Sequence, residues 1–291
     1  MPEIKNKNDL ADIQQCTEGF PKRKIKKVGI RGMQVPLKVA RKDGSINQSS
    51  AEVSIYTNLS EETKGANMSR YRIVAEEYLI GRDLNLREYI RELLKATRER
   101  LGATDSYVKI KFDYFLINEA PASKLKSYMN YKCIIEGKQK HNTNSHMFEC
   151  EDNIPIIEEL YLTVQVPYTS LCPCSKEISN YGAHNQRSFA DVKVKLVDSN
   201  VCWIEDIIKV VESTASAPII NGLKREDEAY QTELMYENPM FVEDMVRAIS
   251  QRLDSEFLDK SISDYVIIAE HQESIHLHNC LAIITANRKL E

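Results

Sequence analysis

The sequence has no run approaching the roughly 18 consecutive apolar residues that a membrane-spanning helix requires. Its opening residues, MPEIKNKNDLADIQQ, hold no apolar core of the kind a signal peptide carries. A soluble, cytoplasmic protein with no membrane partner is the expectation. Glycine is scarce, ten residues in 291, and none of the glycine-centred motifs occurs: no G-x-x-x-x-G-K-[ST] loop, no G-x-G-x-x-G fingerprint, no G-x-S-x-G elbow. A nucleotide cradled by backbone amides is therefore disfavoured. A phosphate-bearing ligand would have to be held by side chains such as Lys176, Arg187, Lys224 and Arg225. Excess positive charge is missing too. Lysine and arginine number 39 against 43 aspartates and glutamates, a net charge of -4, so no nucleic-acid partner is expected. The seven cysteines are odd in number and scattered, which is not a disulfide framework. Only Cys172 and Cys174 cluster.

What is present is ordinary globular composition, 42% apolar and 28% charged, and a length that suits two domains or two halves of one. Residues 1–24 are polar and read as an arm, the stretch 25–152 as a first module and 153–291 as a second. KKVGIRGMQVPLKVA and SAEVSIYTNL alternate as half-buried strands do. Leu86, Ile90, Leu93, Leu94 and Leu101 recur at helical spacing. Strands are expected at Tyr107–Ile117, Ser127–Glu136 and Ser145–Cys150. The turn-rich stretch Gly137–Asn153 reads as the boundary between the halves. In the second half a strand near Glu158 is followed by RSFADVKVKLV, helices at Trp203–Ser213 and Pro239–Leu258, and the strands DYVIIAEHQ and HNCLAIITAN. In the longer helix Phe241, Met245, Ile249, Leu253 and Phe257 share one face, and Pro239 suits its first turn. The order strand, strand, helix, strand, strand thus occurs twice. It predicts an α+β fold of antiparallel sheets with helices on one face.

Three segments concentrate chemistry. LCPCSKEISNYGAHNQRS, Leu171–Ser188, holds few large apolar side chains and reads as a non-core loop. Its proline implies a stiff, extended backbone between Cys172 and Cys174. A thiolate and the imidazole of His184 suit a first-row metal, although a lone Cys-x-Cys fits two inert cysteines better, since the four-ligand zinc pattern is absent. SIHLHN places His276 and His278 two apart, on one face if the segment is a strand; the alternative is a solvated edge with incidental histidines, and the concentration of histidines here favours function modestly. Four of the six histidines, at 184, 271, 276 and 278, lie in this part of the chain. In LKREDEAY a carboxylate is available to complete a metal site, but charged residues opening a helix are usually a solvated face. Glu243 and Asp244 read the same way.

Taken together, PYTSLCPCSKEISNYGAHNQRS, KVGIRGMQVPL, NMSRY, LKREDE, ENPMFVEDMVR and ESIHLHN resemble, in order and over nearly the whole chain, the type IB GTP cyclohydrolases. The resemblance implies a tunnelling fold of two modules per chain, assembled into an oligomeric barrel, a homotetramer with active sites between subunits. It implies conversion of GTP and water into 7,8-dihydroneopterin triphosphate and formate, a step toward folate and in some bacteria toward queuosine. By the same resemblance, the metal ligands are Cys172, His184, Glu228 and His276, with Cys172 also catalytic and His278 a proton-transfer group. Glu243 anchors guanine, since a carboxylate accepts from both the ring N–H and the exocyclic amine. Lys176 and Arg187 are assigned to phosphate. Zinc, manganese and iron all suit so mixed a donor set, and such an ion would lower the pKa of bound water.

The chain departs from the family at one visible place, Asn67-Met68-Ser69-Arg70-Tyr71, where His-Met-Ser-Arg-Phe is usual. Three other readings remain open: the archaeal-type branch, which makes a cyclic-phosphate dihydroneopterin, a non-catalytic tunnelling-fold protein that binds a purine or pterin, and a structural oligomer whose cysteines are incidental.

Overall fold

The structure is a computed structural model that describes residues 14, 16–81, 86–141 and 156–286. Most of the N-terminal arm, the strand expected at Ser145–Cys150 and the module boundary at 152–153 lie outside the described residues. In the first half, β1 (Ile25–Ala40) and β2 (Ile46–Leu59) precede α1 (Met68–Leu79) and α2 (Leu86–Leu101), then β3 (Ser106–Glu119) and β4 (Lys126–His141). In the second, β5 (Ile156–Leu171), the short α3 (Pro173–Ile178) and β6 (Asn185–Leu196) precede α4 (Ile204–Thr214), the two-residue β7 (Ala217–Pro218), α5 (Arg225–Glu237) and α6 (Val242–Glu256). The strands β8 (Ile262–His271) and β9 (Cys280–Thr285) close the chain. Hydrogen bonding runs in the order β1-β2-β3-β4-β5-β6-β8-β9, with β7 on β5. The pairs β5·β6, β6·β8 and β8·β9 are antiparallel. Among the described residues no helix is long and apolar enough to cross a membrane.

Local differences from the sequence reading have simple causes. α1 has no clean apolar stripe: Tyr71, Val74, Ala75 and Leu79 are buried, but charged residues interrupt the pattern on every turn. β4 continues to His141, so the turn-rich composition from Gly137 begins inside a strand. Pro239 stands ahead of α6 rather than in its first turn, because Phe241 is the N-cap. Met245, Ile249 and Leu253 are buried as the spacing predicts, while Phe241 and Phe257 are the helix's two caps.

The chain forms two compact units. The first comprises residues up to 37, 51–110 and 136–159. In it α1 and α2 bury Val74, Leu79, Ile90, Leu93 and Leu94 alongside Val53 and Ile55 of β2. Tyr71 is fully buried, and its hydroxyl is 2.5 Å from Thr57 Oγ1 and donates to the Val28 carbonyl at 3.0 Å. β1 and β2 approach so closely at Gly29 that a Cβ there would lie 2.0 Å from the Ile55 carbonyl oxygen.

The second unit comprises residues 38–50, 111–135 and 160–291. Its best-defined anchor is Asp227, which has no exposed surface. One carboxylate oxygen accepts from the backbone N–H groups of Ala122 and Ser123, both at 2.9 Å; the other accepts from Lys224 N at 2.9 Å and the Ser123 hydroxyl at 2.5 Å. The bond to Lys224 N satisfies the amide at the start of α5, as an acidic residue three positions into a helix often does. Burial by itself would raise this carboxyl, but the Ser123 hydroxyl and the amides of Ser123, Lys224 and Ala122 outweigh it and hold the group well below its ordinary 3.8. A carboxyl depressed in this way contributes stability that is fully present above 3.8 and is lost as the pH falls through the folded-state range. Asp227→Asn, which turns an amide N–H₂ toward these donors, is expected to lower the melting temperature at neutral pH. The gap to wild type should narrow as the pH is taken below 3.8, and thermal denaturation over a pH series measures it.

Candidate functional site

The site is built where β5, β6 and β8 end. Along these strands the inward positions are apolar for most of their length: Leu162, Val164 and Val166 on β5, Ala190, Val192 and Val194 on β6, Tyr265, Ile267 and Ala269 on β8. With the same two-residue period, the inward row then turns polar: Tyr168 and Ser170, Gln186 and Ser188, and His271, all buried. Register brings them side by side, pairing Ser170 with Gln186, Tyr168 with Ser188 and Ser188 with His271. The Ser170 and Ser188 hydroxyls are 2.9 Å apart, and Gln186 Nε2 donates to Ser170 Oγ at 2.9 Å. The segment Leu171–Ser188 is thus not wholly outside the core. Its last residues belong to a strand, and alternation buries Gln186 and Ser188.

Beyond Leu171 the chain enters α3 directly. Pro173 opens it, where a missing N–H costs nothing, so the extended backbone expected between Cys172 and Cys174 is a helical turn instead. Cys172 is its N-cap, and its Sγ accepts from Ser175 N at 3.5 Å. The Ser175 hydroxyl donates to the Cys172 carbonyl at 3.1 Å and accepts from His184 N at 3.2 Å. Cys172 N donates to the His184 carbonyl at 3.1 Å. These bonds close the excursion and hold Cys172 and His184 next to each other. Cys172 is half-buried and Cys174 exposed.

A pocket of about 340 Å³ opens here, lined by Cys172, Gln186, Glu243, His271, Glu273 and Cys280 together with the entry to α6. That entry is tied to the site by Met240 N, which donates to the Leu171 carbonyl at 3.1 Å. At the start of α6, Asp244 is the capping carboxylate, accepting from Phe241 N at 3.1 Å. Glu243 lies exposed beside it. His184 Nδ1 lies 3.0 Å from Gln186 Oε1 and 4.0 Å from Glu273 Oε2. Burial, with Glu273 alongside, raises the Cys280 thiol. Burial lowers His271 to about 4 against the opposing pull of Glu273 and Glu243.

Four of these lining residues, Gln186, His271, Glu273 and Cys280, have no role in the sequence reading. His271 was legible in principle: it continues the inward parity of Tyr265, Ile267 and Ala269, and a histidine in such a row has to meet something polar. Cys280 was not legible, because it meets Cys172 only through β8–β9 pairing, where His271 faces Cys280.

The other expected site residues stand elsewhere. Glu228 is exposed in the first turn of α5, next to the buried Asp227. Lys176 donates to the Tyr236 carbonyl at 2.5 Å and lies 4.2 Å from the centre of that ring. Arg187 is exposed, on the opposite parity to Gln186 and Ser188. His276 and His278 lie exposed in the connection between β8 and β9, not on a strand. A bend, rather than strand alternation, brings their rings together, stacked at 5.0 Å with 13° between planes. Among the described residues no three His, Cys, Asp or Glu side chains gather closely enough to hold a metal ion. A thiol and an imidazole are suitable donors, but within one chain the set does not fit a metal.

The family model for type I GTP cyclohydrolase FolE2 matches residues 10–282. The chain belongs to the type I GTP cyclohydrolase FolE2 family. It is 38% identical over 289 residues to GTP cyclohydrolase FolE2 of Citrifermentans bemidjiense, covering 99% of this chain and 98% of that one. It is 38% identical over 263 residues to the protein of that name from Thermosipho africanus, covering 90% and 93%. Among solved structures it resembles a highly active BTUO mutant, with a TM-score of 0.55 at 9% identity over 91% of this chain and all of that one. A uricase from Bacillus fastidious gives 0.54 at 6% identity, over 89% and 92%. Likeness at such low identity concerns the fold alone. The chain has the mixed, antiparallel architecture of the tunnelling-fold urate oxidases.

The role given to Ser175 can be measured without reference to activity. Ser175→Ala removes the acceptor for His184 N, a bond worth about 0.5–1.5 kcal/mol net. The His184 amide should exchange with solvent about three- to tenfold faster in the variant, as read by hydrogen exchange, while amides in the middle of β6 are unchanged.

Proposed function

We propose that the chain is a GTP cyclohydrolase converting GTP and water into 7,8-dihydroneopterin triphosphate and formate, at the entry to folate synthesis in the cytoplasm. The reading is carried by 38% identity over 99% of the chain to a relative named GTP cyclohydrolase FolE2. The pocket at Cys172 supports it. About 340 Å³ is room for a bicyclic base, and the carboxylate of Glu243 is left over from helix capping. Glu243 then takes the ring N–H and exocyclic amine of guanine, a pair of acceptors that adenine cannot match. Arg187, exposed, is available to the triphosphate. Lys176 reaches it only by leaving the Tyr236 carbonyl. Cys172 N donates to the His184 carbonyl, so the proposed thiolate and imidazole ligands lie on bonded segments, and His278 is the proposed proton carrier.

Zinc, manganese or iron is the proposed cofactor, with Glu228 and His276 as the remaining ligands. Since one chain does not gather these groups, we infer that the set closes between chains in a homotetramer, the assembly also proposed for the barrel. Cys172→Ala is expected to abolish formate release. Glu243→Ala removes hydrogen bonds to a charged group, each worth about 1.5–3 kcal/mol, so GTP should bind at least about tenfold more weakly.

The experiment is anaerobic incubation of reduced, metal-depleted protein with GTP, with and without zinc, manganese or ferrous ion. Formate and pterin triphosphate appearing only with metal are the expected result. A cyclic phosphate product would move the chain to the archaeal-type reaction, and tight GTP binding with no formate under any metal would overturn the enzyme reading.

A further inference from the structure

His271 is the one side chain lining the pocket whose polar atom is buried without a partner. It is 3% exposed, and its Nε2 meets no hydrogen-bond donor or acceptor among the described residues. A buried polar atom left unpaired costs stability, so an orphan in a pocket wall calls for a ligand atom or another explanation. Its ring is fixed: it packs edge-on against Tyr168 at 5.8 Å, and β8 is paired on both sides at this residue, with Ser188 and Cys280. The neighbouring side chains define what is missing. Glu243 and Glu273 are acceptors when ionised. Gln186 already donates to Ser170 Oγ and faces His184 with its carbonyl. The lining therefore offers a ligand acceptors in plenty, and His271 is the side-chain nitrogen not already engaged. With its pKa lowered to about 4 by burial, the imidazole is neutral near pH 7 and carries one N–H.

This deepens the guanine reading and rests on it. A guanine whose N1–H and amine face a carboxylate presents its C6 carbonyl next to that edge, an acceptor that neither Glu243 nor Glu273 can satisfy. We propose that His271 donates its Nε2–H to the C6 carbonyl oxygen of the bound guanine, and so is a specificity-determining residue of the site. His271 and Glu243 then read the base together, one as donor and the other as acceptor. Adenine, with an amine at C6 and no N1–H, is rejected by both.

The test compares equilibrium binding of GTP and 6-thio-GTP to the full-length protein. The thio analogue keeps the N1–H and the amine for Glu243 but puts a poor acceptor at C6. Wild type is expected to prefer GTP by about three- to tenfold, the size of one neutral hydrogen bond. His271→Leu should lose that preference, binding both ligands as wild type binds 6-thio-GTP, and His271→Gln, which keeps an N–H donor, should restore part of it. If His271→Leu fails to fold, His271→Asn, a shorter donor, is measured instead and should give a reduced preference. A preference unchanged in the folded variants, or absent in wild type, would overturn the proposal while leaving the cyclohydrolase standing. If wild type binds no GTP, the guanine reading fails first, and this proposal fails with it. Glu243→Ala separates the two residues: it should weaken both ligands equally and keep their ratio.

Discussion

The arrangement depends on the antiparallel register of β5, β6 and β8. Once Ser170 is opposite Gln186 and Ser188 opposite His271, the two-residue period decides which side chains face inward over the whole length of three strands. One parity gives the apolar rows that hold the unit together. The same parity, carried a few residues further, gives the polar rows from which the pocket is built. A slip of one residue in any of these strands would expose its apolar row and withdraw its polar residues together. The stability of the unit and the composition of the site are thus set by one choice of pairing.

A second economy appears at the two helices that approach chemistry. α5 and α6 each begin with adjacent carboxylates, Asp227 with Glu228 and Glu243 with Asp244. In each pair the aspartate turns back to the backbone amide that opens the helix, as its short side chain allows. The glutamate is left to face outward. Charge runs of this kind look alike in a sequence, and the division of labour follows from position within the first turn.

This also explains what was legible. The helix at Leu86–Leu101 and the long strands carry periodicities that local physics enforces, and the structure has them at or near the expected bounds. The motif around Cys172 identified the family. α3 was hidden because a six-residue helix, opened by Pro173, is too short to show a periodicity. The stacking of His276 on His278 arises from a bend that no alternation rule describes. Cys280 reaches the pocket through a partner strand, and pairing across strands is a long-range fact. Tyr71, in place of the phenylalanine usual in the family, was visible as a departure, but only the fold shows its hydroxyl occupied by Thr57 and the Val28 carbonyl.

The four bonds to Asp227 have a consequence for the loop that supplies two of their donors. Residues 120–125 form the turn between β3 and β4, where Ala120 N donates to the Leu125 carbonyl at 2.9 Å. Surface turns of that sort ordinarily tolerate insertions. This one holds the first turn of α5: the amides of Ala122 and Ser123 grip Asp227, and Glu228 follows about 100° further round the helix axis. Lengthening the turn by a single residue would displace two donors that anchor a helix beginning a hundred residues later in the chain, so its length is constrained like that of a core element despite its place at the surface.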